Sequence, residues 1–182
     1  ALEIMKRLFT EDDVHFDGKF NQLSGVTLEP KPLQQPSPPI WISGRKEAAW
    51  RRAARYGTGW LPYMYTPEML EESNQQIAKY RNEEGNENPV DPGLFIFFCC
   101  HEDNDTAVQY ANERLSKQYN QDFSQMIDKY AIAGDPDRCV ERLTEYVDAG
   151  ARTVILSAAS PMNYVERAES LMAQEVLPRY RK

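Results

Sequence analysis

Four short apolar runs stand out along the chain, and a helical pattern follows each of them. The runs lie at residues 40–43, 59–61, 94–100 and 153–156. Short apolar runs bounded by turn residues are typical of buried strands. Every position of residues 94–100 is apolar, whereas a strand with one face in water would alternate. The pattern therefore predicts strands covered on both faces, as in a parallel sheet.

Amphipathic segments fill the intervals between these strands. Residues 66–68 and 135–137 each combine a capping side chain, a first-turn proline and an acidic residue, which together mark the start of a helix. Gly57, Gly85 and Gly150 each close a helical pattern. The predicted helices span residues 46–56, 66–85, 105–119, 122–130, 135–150 and 164–177.

The first 39 residues have a different character. Residues 2–9 suit an amphipathic helix that begins without a cap, so we expect further coding sequence upstream. The Asp17-Gly18 pair lies between short alternating runs and predicts a small β-hairpin. The prolines of residues 30–39 favour an extended connector that leads into the first strand of the sheet.

The order of these elements limits the fold to two architectures. Strand–helix–strand crossovers are right-handed, which places consecutive strands side by side in one parallel sheet. Four strands cannot close a barrel, and a (β/α)8 barrel takes about 250 residues. A chain of 182 residues is therefore half of a barrel or a small open α/β sheet, and the pattern alone slightly favours the open sheet.

Composition narrows the possible partners. The 28 acidic residues outnumber the 21 basic ones, and a net charge of -7 repels nucleic-acid phosphates and anionic membrane surfaces. The longest apolar run is too short to span a bilayer. We therefore expect a soluble, cytoplasmic protein with neither nucleic acid nor membrane as a partner. Cys99, Cys100 and Cys139 show no metal-ligand spacing, so we expect buried free thiols and no metal site.

The most informative local feature is the sequence Ser43-Gly44-Arg45-Lys46. A strand ends there, the glycine permits a close backbone approach, and a helix begins with its unpaired amides and positive dipole end. Such a helix start is a ready anion site. The alternative is that Gly44 only makes a tight turn and Arg45 is a solvated surface charge.

Three further candidates follow the carboxyl ends of predicted strands, where barrel active sites are built. Trp60 either walls a cofactor pocket or is an ordinary core tryptophan. His101 is a weak candidate for a proton carrier, because the acidic residues after it look like a solvated helix entry. The small residues 157–160 leave room for a ligand, or they merely fill a loop.

A set of motifs in fixed order decides between the two architectures. The motifs are residues 16–20 (FDGKF), 28–34 (LEPKPLQ), 38–44 (PPIWISG), 48–60 (AAWRRAARYGTGW), 130–136 (YAIAGDP), 140–143 (VERL), 149–151 (AGA) and 175–178 (EVLP). Their order and spacing resemble the second half of the luciferase-like monooxygenases. One position departs from that pattern, since Thr58 stands where the family usually has an Asp before Gly-Trp.

The resemblance implies a specific fold and function. The strands would be the fifth to eighth of a (β/α)8 TIM-like barrel, in one partial-barrel domain over residues 1–182, with residues 1–39 as a lead-in and 40–182 as four strand–helix units. It implies a flavin- or deazaflavin-dependent oxidoreductase or monooxygenase whose phosphate-binding residues are Ser43, Gly44, Arg45 and Lys46. The cofactor would be FMN or a deazaflavin coenzyme, and the substrate a small organic molecule.

The same resemblance leaves the site incomplete, because the first four strands are absent from this sequence. We therefore expect turnover to require a complementary N-terminal half. The alternatives are a non-catalytic half-barrel that pairs with itself as a homo-oligomer, since open strand edges and a bare barrel interior favour association, and an independent open-sheet domain that binds a phosphate ligand. Catalytic residues stay unassigned at this point.

Overall fold

The computed structural model describes residues 1–180 and has the predicted α/β architecture. The helices are α1 (Leu2–Thr10), α2 (Glu47–Tyr56), α3 (Pro67–Glu83), α4 (Asn104–Tyr119), α5 (Ile127–Tyr130), α6 (Pro136–Asp148) and α7 (Val165–Leu171). A π-helical turn, Met172–Val176, and a 3-10 turn, Leu177–Tyr180, continue α7. The strands are β1 (Val14–Asp17), β2 (Gln22–Val26), β3 (Trp41–Ile42), β4 (Gly59–Trp60), β5 (Asp91–Cys100), β6 (Ala131–Gly134) and β7 (Thr153–Ala158).

The main sheet is entirely parallel, as predicted. β3 pairs with β4, β4 with the first residues of β5, and β7 with residues 93–98 of β5. The hairpin is also confirmed, because β1 and β2 pair antiparallel around a turn at residues 18–21. These features confirm a parallel sheet with flanking helices and a hairpin near the N-terminus.

One strand was not predicted. The pattern predicted a helix over residues 122–130, but only its last turn forms, as α5, and β6 follows at once. β5 has ten residues and β4 only two, so the carboxyl half of β5 would lack a partner beyond β4. β6 pairs with Phe97–Cys100 there and satisfies backbone groups that could not stay buried and unpaired.

The side chains on the two faces of β5 pack into two different hydrophobic clusters. Leu94, Ile96 and Phe98 pack into a core with α2, α3 and α6. Phe97 and Cys99 face the other way and pack against α4. Burial on both faces agrees with the unbroken apolar run, and it makes β5 the centre of the domain.

The inner face of the sheet, opposite α2 and α3, is only partly covered. Trp41 is 38% exposed, Tyr63 43% and Ile155 44%. Large apolar side chains grouped on an open face are unusual for a protein surface and mark a place where something else packs. Helix α4 covers this face only near the carboxyl ends of β5 and β6.

The three cysteines are free and buried, as predicted. Within residues 1–180, no helix is long and apolar enough to cross a lipid bilayer.

Candidate functional site

A groove of about 490 Å³ opens at the carboxyl ends of the parallel strands, on the inner face of the sheet. Its floor comes from residues at or just after the ends of β3 and β4 and from β5 and β7, and α4 forms one side. The lining residues are Ser43, Leu61, Tyr63, Phe95, Phe97, Arg114, Gln118, Tyr119, Ser157 and Ala158. This is the end of a parallel sheet where ligands bind in α/β proteins.

The groove has an aromatic wall. The rings of Phe95 and Phe97 meet edge to face at 5.4 Å, and Phe97 meets Tyr119 in the same way at 6.2 Å. Tyr119 in turn stacks on the buried Phe123 at 5.2 Å. Burial raises the pKa of Tyr119, so its phenol keeps its proton and can donate a hydrogen bond. The wall therefore combines a flat apolar surface with a fixed donor.

Gly44 makes a turn that a larger residue would disturb. Its φ is +152°, and a Cβ at this position would lie 2.4 Å from the Cβ of Ala49. The carbonyl oxygen of Gly44 accepts a hydrogen bond of 3.3 Å from the hydroxyl of Tyr65, which is buried. Tyr65 thus holds the Gly44 carbonyl oxygen toward the core. In that position the oxygen does not repel an anion bound outside the turn.

Helix α2 begins just after this turn, and no side chain caps it. Thr66, Asp103 and Asp135 each accept a backbone amide at the start of α3, α4 and α6. At α2 the capping position is Lys46, which makes no such bond. The first amides of α2 therefore keep their hydrogen-bonding capacity and their positive dipole end.

Of the predicted phosphate-binding residues, which are consecutive in the chain, only Ser43 lines the groove. Ser43 is exposed and lines the groove, and Arg45 and Lys46 are exposed at the start of α2. The guanidinium of Arg45 donates to the carbonyl oxygen of Met64 at 2.6 Å, which ties the turn to the loop after β4. The Ser43 hydroxyl therefore faces the groove, and the exposed Arg45 and Lys46 follow it at the start of α2.

Trp60 and Thr58 lie away from the groove. Trp60 is fully buried beneath α3, and its indole nitrogen donates to the hydroxyl of Ser73 at 3.0 Å. Trp60 therefore packs as a core tryptophan. Thr58 lies at the amino end of β4, where its hydroxyl accepts from the backbone nitrogen of Ile40 at 2.8 Å. The replacement of the family's Asp thus changes the end of the sheet opposite the groove.

His101 lies at the carboxyl end of β5 but outside the groove. Its ring tilts over Tyr164 at 4.7 Å and meets Tyr110 edge to face at 5.7 Å. Its Nδ1 accepts the backbone amide of Asp103 at 2.9 Å, which fixes the ring. His101 therefore packs between two tyrosines, with one nitrogen already engaged.

Glu102, next to His101, ties β5 to α7 through a charged contact. Its carboxylate accepts from the hydroxyl of Tyr164 at 2.8 Å and from Nε of Arg167 at 2.9 Å. Hydrogen bonds from Arg167 and Tyr164 lower the pKa of Glu102 to about 2.

Because this folded-state pKa lies below the usual 4.5, the contribution to stability is complete above about pH 4.5 and disappears as the pH falls towards 2. We expect Glu102→Gln to lower the melting temperature at pH 7 by no more than about 3 °C, since the pair is exposed. Thermal melts between pH 7 and pH 2 measure the difference in melting temperature between the unmodified chain and Glu102→Gln. This difference should shrink below pH 4.5. Glu169→Gln, on the exposed side of α7, is the matched control. A difference that grows on acidification would contradict the assignment.

The last strand contributes small residues, as predicted. Ser157 and Ala158 line the groove, whereas Ala159 and Ser160 are buried. Within the described residues, no group of His, Cys, Asp and Glu side chains could hold a metal ion.

The sequence indicated only three of the ten residues that line the groove, namely Ser43, Ser157 and Ala158. Tyr63 faces it because a single parallel bridge joins Tyr63 to Phe95. Arg114, Gln118 and Tyr119 face it because α4 packs over the inner face rather than the outer one. The spacing of Arg114 and Gln118 places both on one helix face, but nothing in the sequence shows which layer that face meets.

Comparison with known proteins places this chain in a family. A profile described as luciferase-like monooxygenase matches residues 1–153. An F420-dependent glucose-6-phosphate dehydrogenase of Microbacterium testaceum is 25% identical over an alignment that covers the whole chain and 60% of the relative. The chain thus spans less than two thirds of this relative's length.

Solved structures show the same fold. An F420-dependent secondary alcohol dehydrogenase, in complex with an F420-acetone adduct, superposes with a TM-score of 0.83 and 18% identity, over 100% of this chain and 60% of that one. The oxygenating constituent of 3,6-diketocamphane monooxygenase of Pseudomonas putida, in complex with FMN, superposes with a TM-score of 0.69 and 17% identity. The superposition covers 98% of this chain and 61% of that one. The family profile covers most of the chain, and the shared fold agrees with it. The chain therefore belongs to the luciferase-like monooxygenase family.

Proposed function

We propose that this chain forms the phosphate-binding part of an oxidoreductase site that uses FMN or the deazaflavin F420. One observation carries the proposal. The uncapped start of α2, which follows the Gly44 turn, lies beside a groove at the carboxyl ends of the strands. Relatives of known structure hold FMN or an F420 adduct, which agrees with this assignment.

The residues present fit such a cofactor. The Ser43 hydroxyl and the first amides of α2 would donate to phosphate oxygens, and the charges of Arg45 and Lys46 would offset the negative charge. When bound, the cofactor supplies hydride transfer or oxygen activation, while the protein supplies binding and orientation. The aromatic wall would exclude water, and the Tyr119 hydroxyl would donate a hydrogen bond from that wall.

The exposed inner face supports the need for a second polypeptide segment. Trp41, Tyr63 and Ile155 together offer apolar surface that water does not favour. The chain spans 60% of the length of the relative and of the solved structure it matches. We propose that a complementary half of the barrel covers this face and completes the site. A second copy of the chain in a homo-oligomer is the alternative occupant.

Free thiols at all three cysteines favour a reducing compartment such as the cytoplasm.

Titration with FMN and riboflavin tests the proposal, because riboflavin lacks only the phosphate. We expect FMN to bind at least about tenfold more tightly, as charge-assisted hydrogen bonds to phosphate are among the strong ones. Ser43→Ala should reduce the ratio of the FMN affinity to the riboflavin affinity severalfold, because one hydrogen-bond donor to the phosphate is lost. Quenching of flavin fluorescence measures both affinities.

Ser24→Ala is the control, since Ser24 is exposed on the hairpin and far along the chain from α2. It should leave the ratio of the two affinities unchanged. Equal affinities of the unmodified chain for FMN and riboflavin would overturn the proposal.

A further inference from the structure

The groove contains one formal charge, and it is positive. Arg114 is the only charged residue among those that line the groove. Seven of the Lys and Arg side chains within residues 1–180 form ion pairs, namely Arg7, Lys31, Arg51, Arg138, Arg142, Arg167 and Arg179. Within residues 1–180, Arg114 forms no ion pair, and its guanidinium makes no hydrogen bond.

The surroundings of Arg114 keep it unpaired. Glu113, its neighbour on α4, accepts a hydrogen bond from Gln109 at 2.8 Å, one turn earlier on the helix. Lys117 lies one turn later, and Glu113, Arg114 and Lys117 line a further cavity of about 400 Å³ beside Pro161 and Met162. Arg114 therefore lines both cavities, and the carboxylate of Glu113 is engaged by Gln109 on the side of the second one.

Arg114 approaches the groove from the side opposite Ser43. Ser43 follows β3, whereas α4 packs on β5 and β6. The order of the strands is β3, β4 and β5, so two strand spacings, about 10 Å, separate the strand before Ser43 from the strand on which α4 packs. A phosphate held beside Ser43 would thus leave Arg114 available for another anionic group.

We propose that Arg114 determines substrate specificity, and that it selects an apolar, flat molecule carrying a carboxylate. A guanidinium matches a carboxylate with two parallel hydrogen bonds, which gives both affinity and direction. The wall of Phe95, Phe97 and Tyr119 packs the apolar body, and aromatic pairs of this kind favour flat rings. This inference rests on the proposed function, since it takes the groove to be the substrate side of the cofactor site.

A matched pair of probes tests the inference without any cofactor. The probes are 2-naphthoate and 2-naphthalenemethanol, which share the ring system and differ in the carboxylate. Isothermal titration of the full chain measures both affinities. We expect the carboxylate to bind at least about tenfold more tightly than the alcohol. Arg114→Gln should weaken the binding of 2-naphthoate alone, so that the two affinities become similar. Arg114→Lys should restore part of the difference between them.

Arg152→Gln is the control for net charge, because Arg152 is exposed at the start of β7, at the other end of the sheet. Arg152→Gln should leave the difference between the affinities for 2-naphthoate and 2-naphthalenemethanol unchanged. Unchanged binding of the alcohol to Arg114→Gln shows that this variant is folded. Equal binding of the two probes to the unmodified chain, binding of neither, or equal losses in Arg114→Gln and Arg152→Gln would each overturn the inference.

FMN titration of the same variants separates this inference from the proposed function. Arg114→Gln should keep the FMN affinity of the unmodified chain, because the phosphate lies beside Ser43. A loss of FMN affinity without a loss of naphthoate affinity would place Arg114 in the cofactor site and overturn the inference. A chain that binds naphthoate through Arg114 but prefers riboflavin to FMN, or binds them equally, would overturn the proposed function alone.

Discussion

Gly44→Ala is expected to weaken FMN binding roughly 10- to 30-fold. The added Cβ would lie 2.4 Å from the Cβ of Ala49, and the φ of +152° is one that alanine rarely adopts. The turn must therefore shift, and the first amides of α2 shift with it. A helix terminus contributes up to about 2 kcal/mol to binding a charge, and each 1.4 kcal/mol is tenfold in affinity. Flavin fluorescence titration measures the loss.

Two further variants separate the causes of that loss. Ala49→Gly removes the atom that the new Cβ would strike, so the double variant Gly44→Ala/Ala49→Gly should recover part of the FMN affinity. Gly85→Ala places alanine at another positive φ, +65°, with no atom within 4 Å of its Cβ. It should cost about 1–2 kcal/mol of stability and leave FMN binding unchanged. Unaltered FMN affinity in Gly44→Ala would remove this turn from the site.

The largest effect on stability is expected at Arg81, a charged residue that is only 6% exposed. Its guanidinium donates to the carbonyl oxygens of Ala54 at 2.8 Å and Gly57 at 3.4 Å, at the carboxyl end of α2. It also donates to the side-chain oxygen of Asn86 at 3.1 Å. Burial lowers the pKa of Arg81, yet the negative end of the helix dipole supplies the compensation that a carboxylate would otherwise give.

Arg81→Met keeps the volume but removes the charged donor from all three acceptors; Ala54 keeps only the bond from the Asn86 amide at 3.2 Å, and Asn86 only the bond from the Asn88 backbone at 3.3 Å. We expect the free energy of unfolding to fall by about 2–3 kcal/mol, the typical cost of buried polar groups that lose a charged partner. Urea titration followed by circular dichroism measures it. Arg52→Met, on the exposed side of α2, removes the same charge and should change stability by less than about 0.5 kcal/mol. Equal effects of the two substitutions would contradict the role of Arg81.

The sequence was most informative where one local rule decides the structure. The unbroken apolar run at residues 94–100 predicted the central strand, because only a strand covered on both faces tolerates it. The Asp17-Gly18 pair predicted the hairpin, and the Thr66 and Asp135 caps predicted the starts of α3 and α6. These signals act within a few residues, so they do not depend on the rest of the fold.

Tertiary context decided the features that the sequence did not reveal. Alanine has little preference for strands, and residues 131–134 form β6 only because β5 extends beyond β4 and needs a partner. The end of α7 becomes a π-helical turn before Pro178, which no periodicity indicated. At the site, the Gly44 turn could be read from sequence, whereas Tyr63 and Arg114 enter the groove through long-range packing of β5 and α4.

The most direct test of the account is a map of backbone amide resonances during titration with FMN and with riboflavin. The start of α2 beside Gly44 is the proposed phosphate site, so the amide signals of residues 44–48 should move on addition of FMN and stay nearly in place with riboflavin. Signals that respond equally to the two flavins, or that ignore FMN altogether, would contradict the account.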